Sequence, residues 1–235
     1  MKQELNIFWF KRDLRLIDND AFFSAFSCDL PVLLLYILEP SLVNDRHYSY
    51  RHWQFVKASL EDLNYSLSTF NTKIHVLNLE VEQAFDKIRN EYDINTIFST
   101  EETGLNITFQ RDIHFSKYCQ KNGMNWMEFQ NGGVIRGMKN RDTWRKSWYD
   151  YMAMPIKKPN LKNAKFLNNS NFENYSEYFL FKGISNEEDN MQLGGRTEGL
   201  KWMESFFSER LSMYSDYISK PEMARYGCSR LSPYI

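Results

Sequence analysis

Two almost unbroken apolar runs near the amino terminus, residues 5–10 (LNIFWF) and 32–38 (VLLLYIL), constrain this chain more than any other feature. Strands that face solvent on one side alternate apolar and polar residues; runs like these belong to strands buried on both faces. Shorter runs follow at 73–78 (KIHVLN) and 94–99 (INTIFS), and a weaker one near 125–129. The intervening segments carry the helical period. Trp53, Val56, Leu60, Leu63 and Leu67 recur at spacings of three and four within 49–69. Val81, Ala84, Phe85 and Ile88 do so within 80–92, and Phe109, Ile113 and Tyr118 within 107–122. Strand–helix alternation over about 130 residues predicts an α/β fold with a doubly wound, parallel, five-stranded, Rossmann-like sheet.

Beyond residue 132 the pattern changes. Pro155 and Pro159 arrive together, and the chain up to Gly194-Gly195 is rich in Asn, Lys and Ser, with Phe166, Tyr175, Tyr178 and Phe181 as aromatic anchors. A stretch of this length without periodicity is unusual inside one compact unit and reads as a connector. After Gly195 an amphipathic helix begins, with Leu200, Met203, Phe206, Phe207 and Leu211 on one side. The expected organisation is therefore an α/β domain over 1–132, a connector over 133–194 and the beginning of a helical domain over 195–235.

Composition narrows the function classes. Hydrophobic residues make up 43% and charged residues 25%, an ordinary globular balance. The net charge of -1 gives no bulk field for nucleic acid, so any such contact needs a local patch. One candidate is RGMKNRDTWRKSW, with Arg136, Lys139, Arg141, Arg145 and Lys146, which reads first as a solvated helix face. Cys28, Cys119 and Cys228 are far apart and form no metal-ligand spacing, as expected of a reduced, cytoplasmic protein. His47 and His52 are five apart and share no helical face, so no metal site is expected. The longest apolar run is far short of a membrane span, and no membrane or protein partner is implied.

Two stretches carry candidate chemistry. WFKRDLRLIDND (Trp9–Asp20) leaves the first strand where open α/β sheets bind ligands, although spacing alone also fits a solvated strand end with surface ion pairs. No GxGxxG follows it, so an ordinary dinucleotide site is not supported. GCSRLSPYI (Gly227–Ile235) ends in Ser232-Pro233, a favoured N-cap and first helical residue, with Arg230 just before. Donors of this kind suit a phosphate, though from this stretch alone a plain capped helix is the favoured reading.

WFKRDLRLIDND resembles the first-strand signature of the DNA photolyase/cryptochrome family. RLSMYSDYISKPEMARYGCSRLSPYI resembles the opening of that family's flavin-binding domain, and STEETGLNITFQRD and GGRTEGLKWMESFFSERL are similar to intervening segments. The resemblance implies an antenna-chromophore domain, a connector and a helical FAD domain, of which this chain would be the N-terminal portion. It places Tyr214, Cys228, Ser229, Arg230, Leu231 and Ser232 at flavin-contacting positions. Cys228 departs from the commoner threonine, and a thiol is a weaker donor than a hydroxyl. The implied activity is light-driven, FAD-dependent repair of pyrimidine dimers in damaged DNA; a cryptochrome-type photoreceptor and a stand-alone chromophore- or nucleotide-binding module are the alternatives. Where folate-carrying members have an Asn-Glu pair, this chain has Ile107 and Thr108, so a folate antenna is not expected and the antenna pigment stays open. No side chain is expected to perform bond chemistry itself. The family's electron-relay tryptophans lie downstream of position 235, and Trp144 and Trp148, four apart, read as packing residues.

Overall fold

The computed structural model describes residues 1–168 and 191–234. Strands β1 (Gln3–Phe10), β2 (Val32–Ile37), β3 (His75–Leu77), β4 (Tyr92–Thr100) and β5 (Asn125–Phe129) form one sheet in the order β3-β2-β1-β4-β5, with every neighbouring pair parallel. Helices α1 (Asp20–Ala25), α2 (Pro40–Val43) and α3 (Tyr50–Ser68) follow β1 and β2; α4 (Val81–Glu91) and α5 (Asn106–Lys121) follow β3 and β4.

The alternation within β1 builds two cores. Phe8 and Phe10 pack with Ala21, Phe22 and Ala25 of α1 and with Trp53, Leu60, Leu63 and Leu67 of α3. Leu5, Ile7 and Trp9 point the other way, onto Val81, Ala84, Phe85 and Ile88 of α4 and onto Phe115 and Cys119 of α5. The chain leaves β1 toward β2 on one face and β4 toward β5 on the other. The order therefore reverses between β1 and β4, and the crevice outside their carboxyl ends is the switch point of the fold.

Helices α1 and α5 depart from the sequence pattern. Helix α1 was not signalled, because its six residues carry less than two turns of pattern; it starts at Asn19, whose Oδ1 accepts from the Phe22 N–H at 2.9 Å. Helix α5 buries Thr108, Asp112, Phe115 and Cys119, while Phe109 is exposed. Its inward face is partly polar, so hydropathy placed the face one position off.

His47 and His52 serve local structure. His52 Nδ1 accepts from the Ser49 N–H at 2.9 Å, closing the start of α3, and His47 pairs with Asp45.

After β5 comes α6 (Trp144–Met152). The chain then returns to the sheet. Val32 N–H donates to the Lys165 carbonyl and Leu167 N–H to the Val32 carbonyl, so 165–167 cover the start of β2, where the short β3 has not yet begun. Phe166 meets Phe26 edge-on at 5.4 Å. Tyr175, Tyr178 and Phe181 lie outside the described residues.

Helix α7 (Arg196–Ser205) is docked on α3 by its first turn. Thr197 donates from N–H and Oγ1 to the two carboxylate oxygens of Asp62 at 3.2 and 2.5 Å. The preceding glycines permit the approach: a Cβ on Gly194 would lie 1.9 Å from the Phe55 carbonyl oxygen, and Gly195 has φ 105°. A π-turn (Phe206–Arg210) and a 3-10 turn (Leu211–Met213) carry the chain into α8 (Tyr214–Tyr217), and α9 (Ala224–Gly227) precedes a last 3-10 turn, Ser232–Tyr234. Of the apolar side expected here only Phe206 is buried. Leu200, Met203, Phe207 and Leu211 are exposed among the described residues. No helix among those residues is long and apolar enough to cross a membrane.

Candidate functional site

The switch crevice is walled by charge. Lys11, read from sequence as part of a solvated strand end, is buried, with a side-chain exposure of 2%. Its Nζ lies 2.7 Å from Asp112 Oδ2 and 3.5 Å from Glu128, over the rings of Trp9 and Trp126. Arg111 on α5 also covers Trp9 and reaches Glu39 at 2.6 Å, Asp112 at 2.9 Å and Glu102 at 3.3 Å. The reading of Trp9–Asp20 as surface ion pairs is thus overturned at its first cation. A strand-end lysine is held inside because a helix a hundred residues on supplies its carboxylate, a partner that no local pattern reveals.

The wall holds more carboxylate than its two buried cations match. Burial drives the Glu39 pKa up to about 7 against the pull of Arg111, and burial holds Lys11 below the ordinary lysine range against the pull of Asp112. Arg12 is the exposed cation at the rim. Its side chain is 64% exposed, lies 3.7 Å from Glu102, and crosses Gly104 where a Cβ would meet Arg12 Nη1 at 2.0 Å. Such a wall disfavours a further anion at the turn after β1, in keeping with the missing glycine-rich phosphate loop. Asp13 works within its own loop, accepting from Arg15 and Asn19.

Ile107 packs against the α1/α3 core, and Thr108 is buried with its hydroxyl donated to the Leu105 carbonyl at 2.8 Å. Neither side chain offers a free polar group to a ligand. Among the described residues no cluster of His, Cys, Asp and Glu could hold a metal ion.

The carboxyl-terminal candidates lie elsewhere, on α7 and the turns that follow. Arg230 has φ 57°, a left-handed conformation that costs a non-glycine residue energy and needs outside support. Gln192 gives that support from both ends: its Nε2 donates to the Arg230 carbonyl at 2.8 Å and its Oε1 accepts from Arg230 Nε at 3.1 Å. The guanidinium lies over Trp202 at 5.0 Å. Arg210 lies over the same ring at 4.9 Å, is buried, and donates to the carbonyls of Trp202, Arg225 and Cys228 and to Ser205 Oγ. Removal from water lowers its pKa. Two guanidinium groups on one indole are tolerated because Arg210 is wrapped in acceptors and its partner is held by an uncharged amide.

Cys228 joins this cluster through its carbonyl, and its Sγ lies 4.0 Å from the Tyr217 carbonyl. Tyr214 reaches it through Phe206, with rings 5.9 Å apart edge-on, and Arg210 in turn covers Phe206. Leu231 accepts from the Tyr234 N–H and opens the last turn; Ser232 is its first residue and is exposed. Ser229, next to Arg230, is half-buried. Sequence reading passed over Gln192, Trp202 and Arg210. Trp202 and Arg210 are eight apart, and the π-turn between them sets the guanidinium against the indole; a regular helical wheel does not show that pairing.

Comparison with known proteins agrees with the parallel α/β fold. A family model described as DNA photolyase matches residues 6–142. Over 122 residues the chain is 29% identical to cryptochrome-2 of Gallus gallus, a match covering 51% of this chain and 20% of that protein. It is 27% identical over 105 residues to a chloroplastic/mitochondrial cryptochrome DASH of Arabidopsis thaliana, covering 42% and 18%. Among solved structures, the fold is similar to an archaeal photolyase from Sulfolobus tokodaii crystallised with two FAD molecules, with TM-score 0.74, 24% identity, and coverage of 99% of this chain and 51% of that one. A class III photolyase from Agrobacterium tumefaciens gives TM-score 0.73 at 17% identity, covering 100% and 50%. The chain spans about half the length of these solved structures.

Proposed function

The chain belongs to the DNA photolyase family, and from that premise we propose that the full-length protein repairs pyrimidine dimers in DNA under blue light, with FAD as its cofactor. Residues 1–132 serve in this reading as the antenna-chromophore unit, 133–194 as the connector and 195–235 as the start of the flavin-binding surface. The observation that carries the reading is the preset Arg230, strained at φ 57° and fastened by Gln192 and Trp202. Backbone strain is retained where the surroundings over-determine it, and functional sites are where it collects.

The donor set fits a flavin diphosphate. Among the described residues the Arg230 side chain is engaged through Nε alone, which leaves both Nη groups to donate, and Ser229 and Ser232 add hydroxyls beside it. Arg230 would hold a phosphate from a fixed direction; Gln192 and Trp202 would keep it from swinging away; Tyr214 would present its ring beside Phe206. Cys228 would contribute mainly backbone, since its thiol is a weak donor. The chemistry FAD supplies when bound is light-driven electron transfer to the dimer.

The test is flavin occupancy of the purified full-length protein. Wild type should carry flavin near one per chain, and Arg230→Ala should lose at least tenfold in affinity. Equal flavin content in both would remove Arg230 from the site and this reading with it. A cryptochrome-type photoreceptor shares the same flavin requirement and is separated by the repair measurement given below.

A further inference from the structure

The basic stretch after β5 is not consumed by the structure around it. Of its five cations, Arg136 alone is neutralised, with Glu128 at 2.8 Å and Glu101 at 3.6 Å. Lys139, Arg141, Arg145 and Lys146 have no carboxylate partner among the described residues, and every residue from 139 to 146 is exposed. Asp142 and Asp150 are the carboxylates within 137–152, against those four cations. In a chain of net charge -1 this is a local surplus.

The surplus sits on a fastened segment. Trp144 Nε1 donates to the Gly133 carbonyl at 2.7 Å, and Tyr151 OH donates to the Gln130 carbonyl at 3.3 Å. Gly133 rests on the Trp148 ring, where a Cβ would come within 2.1 Å of Cδ1. The inner side of α6 is thus tied to 130–133, which leaves its cations on the outer side. Trp144 and Tyr149 keep exposed ring surface among those cations, and Arg145 lies over Tyr149 at 5.8 Å. Flexible surface lysines lose side-chain entropy on binding; cations on a tethered helix and turn lose less of it.

We infer that residues 139–146 form a docking surface for the phosphate backbone of DNA, with Lys139, Arg141, Arg145 and Lys146 as its phosphate contacts. This rests on the reading of DNA as the partner and adds where the α/β unit meets it. Cations that contact phosphates release condensed counterions, while exposed rings between them offer faces to sugars and bases. An anionic membrane would meet the same charge, but family membership favours DNA.

The experiment is fluorescence anisotropy of the 235-residue chain with an undamaged, fluorescein-labelled duplex of about 20 base pairs, titrated across salt. Four phosphate contacts give a slope of log K against log salt of about -3.6, or roughly a hundredfold weakening from 50 to 200 mM. Lys139→Ala/Arg141→Ala/Arg145→Ala/Lys146→Ala should flatten the slope toward zero, and Arg141→Ala/Lys146→Ala should halve it. Lys117→Ala/Lys121→Ala, on the exposed side of α5, should leave it unchanged. Circular dichroism and thermal midpoints verify that each variant folds. Unaltered binding in the quadruple variant, equal loss in the α5 variant, or binding to phosphatidylserine vesicles with none to duplex would overturn the inference. Because the duplex is undamaged and the assay is done in the dark, absence of repair would leave docking standing, and loss of docking would leave repair standing.

Discussion

Arg111 Nη1 lies 2.6 Å from Glu39 Oε1, which ties α5 to the carboxyl end of β2 across the switch crevice. Burial outweighs this attraction and holds the Glu39 carboxyl at a pKa of about 7. A carboxyl raised in the folded state contributes stability that is complete below the unfolded value of about 4.3 and is lost as pH rises through the folded one. The stability difference between wild type and Glu39→Gln should therefore fall by on the order of 2–3 kcal/mol from pH 5 to pH 8. Urea titrations at both pH values measure it; a constant or rising difference would contradict the assignment.

Asp112 neutralises both Lys11 and Arg111 from inside the fold. Removing one partner of a buried pair strands the other charge at a cost of about 3–5 kcal/mol. Asp112→Ala should lose stability on that order in denaturant unfolding at pH 7, and Lys11→Met should recover part of it in the double variant. Strict additivity of the two single changes would show that the pair is not coupled.

Folate should not be the antenna pigment. Thr108 has spent its hydroxyl on Leu105 and Ile107 is packed in the core, and a buried polar ring edge left unpaired costs about 1–3 kcal/mol. Mass spectrometry of pigment extracted from protein made in its native host decides this. A flavin, a deazaflavin or no pigment is the expected outcome; stoichiometric methenyl-folate is the opposing one.

How much of this was legible in the sequence depends on the range of the interactions. β1 and β2 announced themselves because a strand covered on both faces must be apolar throughout, and α3 and α4 because each buries one apolar stripe. The crevice wall was not legible. Lys11 becomes a buried cation only when Asp112 and Glu128 are brought to it, and that is a property of topology. The same cause misplaced the face of α5, whose inward residues include the carboxylate of that network. Arg230 stood out next to Ser232-Pro233, whereas Gln192 and Trp202, which hold it, precede it by 38 and 28 positions and share no motif with it.

The 235-residue chain by itself should hold no stoichiometric FAD. Flavin-sized ligands are enclosed over about 70–90% of their surface, and here Tyr214, Cys228, Ser229, Arg230, Leu231 and Ser232 are all exposed or half-buried. Titration of the chain with FAD, followed by flavin fluorescence, should show no saturable binding at micromolar concentrations. Micromolar, one-to-one binding would mean that these turns close a complete site.

The central claim is that this family member repairs DNA with light. Its most direct test is loss of cyclobutane dimers from a defined oligonucleotide, followed by chromatography, with flavin-loaded, reduced full-length protein under blue light and in the dark. The account predicts dimer loss that requires light and fails in Arg230→Ala. Full flavin occupancy with no light-dependent loss of dimers would contradict it and leave the photoreceptor reading in its place.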